Sequence, residues 1–248
     1  MIQPLIIFGT GGSMHDVLDI VEAMNALSPA WEVAGFLDDA RNPGERHLGL
    51  EVLGPVAAAA RFERCQFVNV VGSDRSYRQR PQLIAKTGLP ADRFATLVHP
   101  RAGVSSRALL GFGVVVNFGA SVAGNVTVSD QVWIGPGCVI GHDSVIEPFA
   151  LLAPAAVVSG FCQVGEASYV GAGAMIRQKV RIGAAALVGM GAVVVKDVPP
   201  RAVVVGNPGR PITSAASRRT RTPSPMVESL PVAANVRSVF LSENLSTS

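Results

Sequence analysis

From Val98 to Val194 every sixth residue is aliphatic, with no slip in register. The series runs Val98, Val104, Leu110, Val116, Val122, Val128, Ile134, Ile140, Ile146, Leu152, Val158, Val164, Val170, Ile176, Ile182, Val188 and Val194. Four positions after each stands a small or modest residue, such as Ala120, Cys138, Ser144, Ala156 or Ala192. A six-residue period fits neither a helix nor a single alternating strand. It fits a short strand, a corner and a repeat, with three sides closing a triangular coil of 18 residues. The aliphatic residue points into the prism and the small one fits near the corner. Gly often follows the aliphatic residue, as at Gly111, Gly135, Gly141, Gly165, Gly171, Gly183 and Gly189. These glycines are expected to supply the backbone angles of a tight corner. Coils stack at strand spacing, roughly 4.8 Å apart. The pattern therefore predicts a parallel β-helix; a chance run of Val-rich strands in a sandwich would not hold one phase for so long.

The chain's 248 residues suffice for one or two domains with real cores. Net charge is +3, yet only 16% of residues are charged. No dense basic patch with interleaved aromatics precedes the tail, so no nucleic-acid partner is expected. The three cysteines, Cys65, Cys138 and Cys162, show no Cys-x-x-Cys spacing. Two of them occupy the small inward slot of the repeat, which suits a reducing cytoplasm. The N-terminus lacks the features of a signal peptide. The uncharged run from Ala108 to Ser129 carries glycines, Asn117 and Asn125 in unbroken phase, so it reads as coil rather than as membrane insertion.

Residues 1–95 read as a small α/β, Rossmann-like domain. Strands are expected at Leu5 to Phe8, Glu32 to Leu37 and Phe67 to Val71. Helices are expected after Ser13, over Pro55 to Phe62 and over Gln79 to Lys86. In a parallel sheet of this kind ligands sit beyond the carboxyl ends of the strands. Gly9, Gly11, Gly12, Ser13, Asp38, Asp39 and Gly72 fall there. Backbone N–H groups opening a helix favour a diphosphate. An Asp ending the second strand can accept hydrogen bonds from a ribose or a base. Met14 takes the place of the third Gly of the dinucleotide fingerprint, which disfavours a nicotinamide cofactor.

Among the four histidines, His142 follows Gly141 and precedes Asp143, beside a corner and outside the aliphatic core. An imidazole can take a proton from an attacking amine or hydroxyl, and a neighbouring carboxylate can orient it. Solvated polarity at a corner is the plain alternative. A zinc site with three His ligands is disfavoured, because His99 and His142 do not stack and no third coil histidine exists. No metal is expected.

The coils close on Val195-Lys196-Asp197-Val198-Pro199-Pro200-Arg201, followed by Ala202 to Pro208. This segment resembles the coenzyme A-binding end of the hexapeptide-repeat acyltransferases. With the Gly-rich N-terminal domain, residues 4 to 212 resemble the bacterial sialic-acid O-acetyltransferase and nucleotide-amino-sugar N-acetyltransferase family. The resemblance implies a left-handed parallel β-helix over 96–212 and a homotrimer with active sites between neighbouring coils. It implies acetyl-CoA, or another acyl-CoA, as co-substrate and no permanently bound cofactor. It implies His142 as general base, with Asp143 raising its basicity. It places Gly160 as an oxyanion donor, Ala172 and Met190 along the pantetheine arm, and Lys196 in the acyl-CoA segment. Gly9, Gly11, Gly12, Ser13, Asp38, Asp39 and Gly72 would form the pocket for a nucleotide-linked amino sugar. The chain departs from the family at Ser13, Gly135 and Leu151, where His, Asn and His are frequent; these departures bear on the acceptor. The expected activity is N-acylation by direct attack on the thioester. Alternatives are O-acetylation with the same donor and a non-catalytic nucleotide-sugar-binding trimer. Residues 213–248, rich in Ser and Thr without a period, read as a disordered tail in which Arg218, Arg219 and Arg221 form a solvated cluster.

Overall fold

The computed structural model describes residues 2–212; the tail expected at 213–248 lies outside the described residues. The first part is a five-stranded sheet with β1 (Gln3–Phe8), β2 (Trp31–Leu37), β3 (Arg46–His47), β4 (Leu50–Gly54) and β5 (Gln66–Asn69), in the order β3-β4-β2-β1-β5. All neighbours are parallel except β3 and β4. Helix α1 (Ser13–Leu27) buries Met14, Val17, Ile20 and Val21 along one face. The segment expected as a helix from Pro55 is a 3₁₀ helix, Val56–Arg61. The β3–β4 hairpin was not anticipated. It turns on Leu48 (φ 49°) and Gly49 (φ 79°), both left-handed, and only the Gly advertises such a turn.

From Leu97 onward two-residue strands recur every six residues and pair in parallel with the strand 18 residues away, as Val139 does with Val157 and Trp133 with Leu151. They form three sheets, a left-handed parallel β-helix. The aliphatic series from Val116 to Val194 is buried, and so are the small partners from Val114 to Ala192, Cys138 and Cys162 among them. From Gly113 to Gly191 the corner residue three after each aliphatic residue is left-handed: Gly113, Gly119, Asn125, Gly137, Asp143 and Phe161 are examples.

This corrects the role expected for the glycines one place after the aliphatic residue. They do not take the left-handed corner. They allow the next coil to approach. A Cβ on Gly141 would meet the Gly160 nitrogen at 2.4 Å, and one on Gly183 would meet the Pro200 nitrogen at 2.3 Å. The α/β part docks on the outward side of one prism face. Val115, Trp133, Leu151 and half-buried Tyr169 pack with Met14, Val17 and Val21 of α1. Buried Arg80 spans the junction, donating to the carbonyls of Val71 (2.9 Å) and Gln131 (2.6 Å). Among the described residues no helix is long and apolar enough to cross a membrane.

Candidate active site

The stacking of the coils turns sequence distance into position on an edge of the prism. His142, Gly160, Gln178 and Lys196 are 18 apart and rise along one edge. His142 stands proud of the coil with 62% of its side chain exposed, and its Nδ1 lies 2.7 Å from Asp143 Oδ2. The other carboxylate oxygen accepts from the Asn125 amide, one coil below. The Asn125 hydrogen bond first, then that from His142, holds the Asp143 carboxyl below its ordinary range. An ionised carboxylate only accepts, so the imidazole donates from Nδ1, and the neutral ring then carries its lone pair on Nε2.

Gly160 makes room for the ring, since a Cβ there would come within 3.1 Å of His142 Nε2 and Cε1. The Gly160 N–H has no backbone acceptor among the described residues. The backbone ladder of the coil draws no N–H from this position, which is why Pro136, Pro148 and Pro154 fit the equivalent places. Phe161 meets the imidazole edge to face, with centroids 5.1 Å apart and planes at 85°.

Ala172 and Met190 are not beside His142. They lie above Pro136 and Pro154 on the preceding edge, across the face that carries Val139, Val157, Met175 and Val193. Met190 is 80% exposed, and Val139 and Met175 are exposed as well. Lys196 shares the edge of His142 but sits three coils above it.

In the α/β part, Gly9, Asp38, Asp39, Val71 and Lys86 line an open cleft of about 400 Å³ at the carboxyl ends of the strands. Gly9 takes φ 95°, and a Cβ there would strike Val71 at 2.7 Å. Gly11 and Gly12 open onto free space, and Gly12 caps α1. Both aspartates already have work inside the chain. Asp38 accepts from the Thr10 N–H (2.8 Å), the Thr10 hydroxyl (2.7 Å) and the Ala40 N–H (2.8 Å). Burial would raise its pKa, but these bonds outweigh it and leave the carboxyl below its usual range. Asp39 accepts from the Val56 N–H at 2.8 Å and faces Lys86 at 3.6 Å. The aspartates expected to meet a ribose or base thus also clasp the Gly-rich turn and the following loop.

Ser13 and Gly72 line a second cleft of about 240 Å³, with Asp16, Asp74, Trp133, Leu151 and Tyr169. Leu151 fills the space over Gly72, where a Cβ would meet it at 2.7 Å. Asn125, Phe161, Thr10 and Lys86 carry no functional expectation from the sequence. Asn125 was within reach of one, because 18 residues back from Asp143 is one coil down.

Residues 4–80 match the model of the PglD N-terminal domain family. The acetyltransferase domain of PglB from Neisseria gonorrhoeae, solved with acetyl coenzyme A, is 31% identical with a TM-score of 0.73, and the match covers 86% of this chain and 100% of that one. PerB from Caulobacter crescentus, solved with CoA and GDP-perosamine, is 28% identical with a TM-score of 0.73, over 86% of this chain and 99% of that one. A serine acetyltransferase of Bacillus pumilus is 31% identical over 152 residues, which is 58% of this chain. The chain spans about 61% of that curated relative's length.

Proposed function

Because this chain belongs to the hexapeptide-repeat nucleotide-amino-sugar N-acetyltransferases, we propose that it moves the acetyl group of acetyl-CoA onto the amine of a nucleotide-linked amino sugar. The observation that carries the reading is the His142–Asp143 pair, with a free Nε2 and the unspent Gly160 N–H beside it. The amine nitrogen attacks the thioester carbonyl while His142 Nε2 takes its proton. The carbonyl oxygen becomes an oxyanion that the Gly160 N–H can meet. Asp143 stabilises the imidazolium. The tetrahedral intermediate expels the CoA thiolate, which takes up the proton His142 holds. No acyl-enzyme is formed.

Residues 1–95 are the nucleotide-sugar-binding part in this reading, and 96–212 carry the transfer. Gly9, Gly11, Gly12, Asp38 and Asp39 border the nucleotide, while Ser13 and Gly72 face the sugar. Ala172 and Met190 line the pantetheine arm, and Lys196 holds the far end of the coenzyme. Their place on another edge of the prism supports a homotrimer, since one protomer's His142 edge then faces its neighbour's Met190 edge. The exposed Val139 and Met175 between those edges fit a face covered by a second copy. The free cysteines fit a reducing, cytoplasmic setting.

The serine acetyltransferase relative favours a second reading, O-acetylation with the same donor. Thiol release from acetyl-CoA over a panel of GDP-, UDP- and dTDP-linked amino sugars and their hydroxyl counterparts separates the two. His142→Ala is expected to lower turnover about a thousandfold; turnover near that of the parent enzyme in this variant refutes the mechanism.

A further inference from the structure

The left-handed corner column at the active edge reads Asn125, Asp143, Phe161 and Lys179, with φ of 61°, 58°, 59° and 63°. Asn and Asp enter this conformation readily, whereas a bulky aromatic residue is strained in it. The strain serves no core, because Phe161 is 52% exposed while Val158 and Val164 on either side are fully buried. What the ring meets instead is the imidazole of His142, edge to face, with the Lys179 ammonium 6.0 Å from its centroid. The Phe161 N–H donates to the His142 carbonyl at 2.9 Å, the bond that Phe149 makes to Asp130 on its own edge, so the ring contact is what sets Phe161 apart.

We infer that Phe161 is a positioning residue, a stop that limits rotation of the His142 ring so that Nδ1 stays on Asp143 and Nε2 stays turned outward. Asp143 grips only one side of a ring that is mostly in solvent, and Gly160 one coil above offers no side chain. Among the described residues Phe161 supplies a second wall, edge to face with the ring. This inference rests on His142 acting as the base. The molecule supplies its own control in Phe149, which holds the same backbone conformation (φ 63°) on another edge.

The test compares Phe161→Asn, Phe161→Tyr and Phe149→Asn in the full chain. Turnover is read as thiol release from acetyl-CoA with a GDP- or UDP-linked amino sugar that the parent enzyme accepts. Side-chain ¹⁵N NMR reads the His142 tautomer without any acceptor. Phe161→Asn relieves the corner, so its Tm should hold or rise. Its kcat should fall about fivefold with KM for acetyl-CoA within about twofold, and the His142 signals should shift from one tautomer towards a mixture. Phe161→Tyr should restore both readouts, and Phe149→Asn should move neither. The inference is overturned if Phe161→Asn keeps its kcat and a single tautomer. It is equally overturned if Tm and kcat fall together, since the ring then serves the coil. Full turnover in His142→Ala would remove the base itself, a result the tautomer measurement keeps distinct from failure of the Phe161 assignment.

Discussion

The prism and the α/β unit both depend on glycine, for opposite reasons. At Gly141, Gly165 and Gly183 a Cβ would collide with the backbone of the next coil at 2.4, 2.6 and 2.3 Å. At Gly11 and Gly12 a Cβ would meet nothing within 4 Å. In the first region the missing side chain is filled by the chain itself, so the glycine is structural. In the second the space stays open, which suits close approach of a ligand to backbone N–H groups. The same substitution should therefore separate the regions. Gly141→Ala must force two backbones apart and should cost about 3 kcal/mol or more of stability. Gly12 has an ordinary helical φ of −50°, so Gly12→Ala should leave the melting temperature level or slightly raised. Its effect should appear as a higher KM for the nucleotide sugar with little change in kcat. Equal loss of stability in both variants breaks the contrast.

The regions also differ in what holds their functional groups. A coil corner is fixed by its neighbours above and below, whereas the Gly-rich turn is clasped by one carboxylate. Asp38 binds Thr10 and Ala40, and its folded pKa lies below the ordinary 3.8. A depressed carboxyl contributes stability that is present above its unfolded pKa and lost as pH falls through the folded one. Asp38→Asn should cost about 1 kcal/mol at neutral pH, discounted for its partial exposure. It should also flatten the acid limb, so the gap to the parent protein, constant at higher pH, narrows as pH falls below about 4. Urea midpoints above and below that pH measure both effects; a constant gap would show that Asp38 does not titrate against the turn.

What could be read in the sequence follows the same division. A coil repeats by translation, so Val98 to Val194 announced the fold and the 18-residue step fixed which residues share an edge. The step also held Asn125 and Gly160 as neighbours of the His142–Asp143 pair, although only Gly160 was given a site role, and that by resemblance. The corner glycines were misread because sequence spacing marks where glycine recurs and not whether angle or clearance requires it. Phe161 was hidden because aromatic residues seldom take a left-handed corner. The α/β unit has no such repeat. Its strand ends were legible and brought Gly9, Asp38 and Asp39 to one cleft. Their partners Thr10, Val56 and Lys86 come from separate loops, and the Leu48-Gly49 turn lacked a second turn-forming residue.

The smallest expected effect tests whether a coil corner can carry a charge clasp like that of Asp38. Asn125 reaches up one coil to Asp143 and is the first cause of that carboxyl's lowered pKa. Asn125→Gly keeps the left-handed corner at φ 61° and removes only the amide. The Asp143 pKa should then climb back towards its ordinary 3.8. At neutral pH the carboxylate remains ionised in either protein, so turnover should match the parent within about twofold. On acidification the variant should lose its orienting carboxylate at a higher pH than the parent, so below about pH 4 its turnover should fall ahead of the parent's. Full pH profiles of kcat/KM for acetyl-CoA decide it. Superimposable profiles would mean the His142 grip alone holds Asp143 ionised, and that this edge, unlike the Asp38 turn, owes its geometry to packing.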